Sequence, residues 1–93
     1  MTFTHRDQLT LDLLKYLKKS DSINPRNPLL FLSELSEKRR SELDISAPDY
    51  VNGLFAKGYI SESTMKEGCY FLTEAGKEEI RRLNKKSLES KTN

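Results

Sequence analysis

Two short tracts, Ala56-Lys57-Gly58-Tyr59-Ile60 and Leu72-Thr73-Glu74-Ala75-Gly76, together describe a β-hairpin held between two helices. In the first, Gly58 can adopt the positive φ that ends a helix at little steric cost, so a strand is expected to follow directly. In the second, Cys69-Tyr70-Phe71-Leu72 is a short β-prone run,. Thr73 then offers a side-chain oxygen to the unpaired backbone N–H groups of a helix that opens at Glu74. Met65-Lys66-Glu67-Gly68 lies between the two strands as a polar turn whose glycine suits a hairpin tip,.

The pattern upstream predicts three helices. Thr4 with Asp7 three positions later resembles a capping box, opening a first helix to about Lys19 with Leu9, Leu13, Leu14, Tyr16 and Leu17 as its apolar stripe,. Residues 20–27 read as a loop, because Asn24-Pro25 and Asn27-Pro28 both bias the asparagine away from helix. Asn27 then caps a second helix with Pro28 at its first position. This helix turns Leu29, Leu32, Leu35 and Phe31 inward and ends within Lys38-Arg39-Arg40, where cations suit the negative end of the helix dipole,. Residues 41–45 form a turn, and Ser46-Ala47-Pro48-Asp49 starts a third helix that reaches Lys57,. Val51, Leu54 and Phe55 face inward on it, Tyr50 lies at the margin, and Pro48, Asp49, Asn52 and Gly53 are exposed. A fourth helix, from Glu74 to about Asn84, buries Ile80 and Leu83, and residues 85–93 form a polar tail outside the domain of residues 1–84,. The expected core is Leu13, Leu17, Leu32, Leu35, Val51, Leu54, Ile60, Leu72 and Ile80.

Ninety-three residues, 35% hydrophobic and 32% charged, suit one domain with a modest core,. No apolar run is long enough to cross a bilayer and the N-terminus has no signal-peptide pattern, so no membrane association and a cytoplasmic location are expected,. Cys69 is the only cysteine and His5 the only histidine, which leaves no internal disulfide and no zinc ligand set, and no cofactor is expected,. Cys69 reads as a small, inert hydrophobe on a strand. There is no nucleophile with a local base and no glycine-rich phosphate loop after a strand, so catalysis is not expected. The net charge of +2 is unevenly spread: residues 1–28 hold five cations against three carboxylates, 29–60 four against five, 61–79 two against five and 80–93 five against one,.

The order helix, helix, helix, hairpin, helix, with Gly58-Tyr59-Ile60 and Leu72-Thr73-Glu74-Ala75-Gly76 at its joints, resembles the winged helix-turn-helix proteins, especially small MarR-like, PadR-like and phage-type regulators, over roughly residues 7–84,. The resemblance implies an α+β fold with a three-helix core, a two-stranded β-wing and a C-terminal helix. It also implies a sequence-specific transcriptional regulator that binds double-stranded DNA. The third helix would enter the major groove and set Ala47, Asp49, Tyr50, Asn52 and Gly53 at the bases, with Lys57 at its far end. The wing, with Lys66, would follow the phosphates, and Lys38, Arg39 and Arg40 are further candidates for a backbone grip. A homodimer joined through the first and last helices, around Leu11 and Leu88, is expected because such regulators commonly read two half-sites. The sequence departs from the family in two places: Lys57 is the only cation of the third helix, which also carries Asp49, and Lys66 stands beside Glu67. These departures keep a second reading open, a winged-helix module that binds a protein partner. The cation run at 38–40 and the pairs Arg81-Arg82 and Lys85-Lys86 also fit a plain solvated surface.

Overall fold

The computed structural model describes residues 2–21 and 23–91, the last two by backbone alone. The first helix, α1 (His5–Leu17), has the full capping box: Asp7 N–H donates to Thr4 Oγ1 at 3.0 Å and Thr4 N–H to Asp7 Oδ2 at 3.1 Å. Leu9, Leu13, Leu14 and Leu17 are buried as the stripe predicts, and so is Leu11, at 3% exposure. Leu11 therefore cannot serve as the exposed dimer contact expected of it, because α1 packs along the C-terminal helix and this residue faces that junction.

Asn27 caps α2 (Pro28–Ser33) through Leu29 N–H at 2.9 Å. The expected single second helix is in fact two. Residues 34–36 interrupt it before α3 (Glu37–Arg40), where the Ser36 side chain accepts the Arg39 N–H at 3.3 Å and so caps a new helix instead of continuing the old one,. The break leaves Leu35, expected in the core, half-buried, and Leu29, expected to face inward, is 37% exposed. Ser46 caps α4 (Ala47–Ala56), which buries Tyr50, Val51 and Leu54. Phe55 is not inward as expected. It is 43% exposed and meets Tyr70 edge-on, with ring centroids 6.0 Å apart.

The chain leaves α4 through Gly58, at φ 82°, into β1 (Ile60–Glu62). This strand pairs antiparallel with β2 (Tyr70–Leu72), setting Ile60 opposite Leu72, Ser61 opposite Phe71 and Glu62 opposite Tyr70. Gly68 takes φ 78° at the tip, and the buried Ser63 organises the turn by accepting Met65 N–H at 3.0 Å. The other edge of β2 is covered by Arg26, whose backbone exchanges hydrogen bonds of 2.9 and 2.7 Å with Tyr70. The segment between α1 and α2 is thus tied to the hairpin.

Thr73 caps α5 (Glu74–Lys91) by accepting Gly76 N–H at 3.0 Å. Gly76 is required for close packing here, since a Cβ at that position would collide with the Tyr59 carbonyl oxygen and the Leu72 side chain. The helix runs past the expected end at Asn84 to Lys91, and Lys86 within the extension reaches Asp7 at 2.8 Å. Thr92 and Asn93, the end of the expected polar tail, lie outside the described residues. Leu9, Leu13, Leu17, Leu32, Tyr50, Val51, Leu54, Ile60, Leu72, Ile80 and Leu83 close one core between helices and hairpin. The described residues form an α+β domain with five helices and a two-stranded antiparallel sheet, compatible with a winged-helix-like layout. Among the described residues no helix is long and apolar enough to cross a membrane.

Candidate nucleic-acid interface

The periodicity of α4 divides the residues predicted to read bases. Asp49 and Asn52 are exposed on the side opposite the core, Gly53 is exposed at the edge of that side, and Ala47 is half-buried at the start of the helix. Tyr50 has moved to the other side: it is 4% exposed, and its hydroxyl is hydrogen-bonded to the Thr10 hydroxyl of α1. A buried phenol needs such a partner, and here Arg6 also lies over the ring at 5.8 Å,. Tyr50 therefore holds α4 against α1 and does not belong to the outer surface. Burial raises its pKa, with the Thr10 bond and Arg6 acting in the opposite sense.

A layer of ion pairs supports α4 from below. Glu79 on α5 is engaged by Arg82, with one contact at 2.8 Å, and that bond, joined by the bond from the Tyr59 hydroxyl, holds its carboxyl below the usual range against the effect of burial. Burial works to raise the Asp7 pKa, but the Lys86 ammonium and the Thr4 backbone N–H overcome it and leave the group below its ordinary value. Asp7, Tyr59, Glu79 and Arg82 line a small cavity of about 170 Å³ together with Gly53 and Lys57, and the charge of the exposed Lys57 helps to lower the pKa of the Glu79 carboxyl.

The three cations at 38–40 have separated. Arg39 is paired with Asp12 at 2.6 Å, Arg40 donates to the Ser33 carbonyl at 2.7 Å, and Lys38 is exposed on α3. Lys66 stands exposed in the hairpin turn and, with Lys19 and Arg26, lines a cleft of about 310 Å³. Among the described residues no carboxylate lines that cleft, and its other walls come from Ile23, Asn24, Pro25 and Met65. Arg26 is fixed there by a 3.4 Å bond to the Tyr16 carbonyl and by stacking on the Tyr16 ring at 5.1 Å. Sequence reasoning missed Lys19 and Arg26 as site residues. The available signal was Asn24-Pro25-Arg26-Asn27-Pro28, whose two prolines impose an extended backbone able to pair with a strand edge,.

Among the described residues no cluster of histidine, cysteine, aspartate and glutamate side chains could hold a metal ion. No family model, characterised protein or solved structure significantly matches this chain.

Proposed function

We propose that this chain is a winged helix-turn-helix protein that binds double-stranded DNA and regulates transcription, with the outer face of α4 in the major groove and the hairpin along the neighbouring backbone. The observation that carries the reading is the cleft at the hairpin's flank, where Lys19 and Arg26 of the α1–α2 connection meet Lys66 of the hairpin turn, with no carboxylate among the described lining residues. Converging cations suit a run of phosphates, and the term they supply is independent of sequence. Asn52 on the outer face of α4 is the residue suited to discriminate bases, since its amide can pair with adenine. Lys57 is a further phosphate contact at the end of the helix. Ile23 and Met65, 72% and 68% exposed, flank the cleft and give it apolar shoulders. A homodimer would place two copies on two half-sites, with the exposed Leu88 at the end of α5 as the apolar residue still available for contact,.

One observation favours the second reading, a module for a protein partner. The face of α4 opposite the core carries a single carboxylate, Asp49, and no cation, and Phe55 and Ile45 are exposed at its sides. Titration of fluorescent random-sequence duplex at two salt concentrations separates the two. DNA binding weakens steeply with added salt, in proportion to the phosphates neutralised. A chain that leaves the duplex unbound at the lower salt is not a DNA-binding protein.

A further inference from the structure

A third concavity adjoins the ion-pair cavity beneath α4, with Ile45 lining both. It is a groove of about 500 Å³ between α2 and the first turn of α4, at the point where α2 gives way to α3. Leu29, Leu32, Leu43, Ile45, Ala47 and Pro48 form its walls, and three polar residues, Ser33, Arg40 and Ser46, stand at its margin. Its size and its apolar walls with few polar groups are those of small-molecule sites in general.

The polar margin is selective. The Ser33 hydroxyl is engaged by the Leu30 carbonyl at 2.7 Å, and the Ser46 hydroxyl accepts Asp49 N–H at 3.3 Å as the cap of α4. Arg40 is different. Its guanidinium makes one bond, from Nη2 to the Ser33 carbonyl at 2.7 Å, and it pairs with no carboxylate among the described residues. That bond fixes the planar head at the mouth of the groove while leaving most of its five N–H donors available. Among the described residues no acidic side chain lines the groove. Its field is therefore that of one oriented cation beside an apolar trough, and the complement of this is one anionic head on one apolar body. A guanidinium matches a carboxylate best, because two parallel N–H donors meet two oxygens.

We propose that this groove binds a small amphipathic carboxylate, its chain or ring lying against Leu29, Leu43 and Ile45 and its carboxylate on Arg40. A duplex is a poor occupant, since phosphates would gain nothing from the apolar walls and would find a single cation. Ala47 and Pro48 belong both to the groove and to the first turn of α4, so an occupant would touch the helix assigned above to base contact. The binding itself does not depend on that assignment and is tested with the protein alone.

The test is a titration of the full chain with octanoate, followed by methyl NMR, with octan-1-ol as the uncharged counterpart. Saturable shifts confined to the Leu29, Leu32, Leu43 and Ile45 methyls are expected. Arg40→Gln should weaken octanoate about tenfold, the lower end for a hydrogen bond to a charged group at an exposed site, and leave octan-1-ol unchanged. Ser33→Trp, a surface change that fills the groove, should remove both, and an otherwise unchanged spectrum in each variant excludes unfolding. Shifts that do not saturate, or an equal loss of both ligands in Arg40→Gln, would overturn the proposal. So would movement of these methyls with protein concentration in the absence of ligand, which would mean that a second copy fills the groove.

Discussion

Two glycines should respond to the same substitution with opposite sign. Gly53 lies within α4 and Gly76 within the first turn of α5, so alanine at either position removes a helical glycine, a gain of roughly 1 kcal/mol in a helix interior and less near an end,. At Gly53 nothing lies within 4 Å of the added Cβ, so most of that gain should survive. At Gly76 the Cβ would meet the Tyr59 carbonyl oxygen and the Leu72 side chain. Neither can yield easily: Tyr59 is a backbone group that accepts the Thr73 N–H at 3.1 Å, and Leu72 is in the core opposite Ile60. Relief requires α5 to move off the hairpin, and overpacking of this kind costs about 1–3 kcal/mol and can cost more when backbone must shift. Gly76→Ala should therefore be destabilised by about 1–2 kcal/mol after the helix gain is deducted, and Gly53→Ala stabilised by about 0.5–1 kcal/mol. In a domain of this size 1 kcal/mol moves the midpoint by roughly 4–8 °C, so thermal melts followed by circular dichroism resolve both changes. A Gly76→Ala protein that melts at or above the wild-type temperature would refute the packing argument for this joint.

Leu54→Ala should cost roughly 2–5 kcal/mol by urea denaturation and Leu35→Ala clearly less, because the break between α2 and α3 leaves Leu35 half-buried; equal losses would restore the single long helix,. Acid should weaken the fold through Asp7 and Glu79. Both pKa values are depressed in the folded state, so their contribution is complete above the unfolded value of about 4 and is lost as pH falls through the folded values,. Lys86→Met should flatten the loss measured between about pH 5 and pH 3 by removing the partner that holds Asp7 ionised against burial, and an unchanged slope would rule that coupling out,.

The joints of the fold were legible because they are local chemistry. Thr4 with Asp7, Asn27 with Pro28, Ser46, Gly58 and Thr73 each decide a boundary within a few residues of themselves, and each stands where the sequence placed it. The break at residues 34–36 was not legible, since Leu29, Leu32 and Leu35 continue the helical period straight across it and only the capping action of Ser36 separates the two helices,. Leu11 and Tyr50 were misjudged for another reason. Their burial depends on partners remote in sequence, the extended α5 for one and Thr10 with Arg6 for the other. The candidate site was partly legible: Asn52, Gly53, Lys57 and Lys66 are exposed, whereas the cleft joining Lys66 to Lys19 and Arg26 follows from the pairing of Arg26 with Tyr70, and the two prolines around Arg26 announce an extended backbone there without naming its remote partner.

That cleft is also where DNA binding is most directly tested. Affinity for a random duplex measured across a series of salt concentrations gives a slope of log affinity against log salt that counts phosphate contacts. If Lys19 and Lys66 each neutralise one phosphate, the Lys19→Ala/Lys66→Ala protein should bind more weakly and show a slope smaller by about two units, with its melting temperature little changed. Wild-type affinity and slope in the folded double variant would contradict the account.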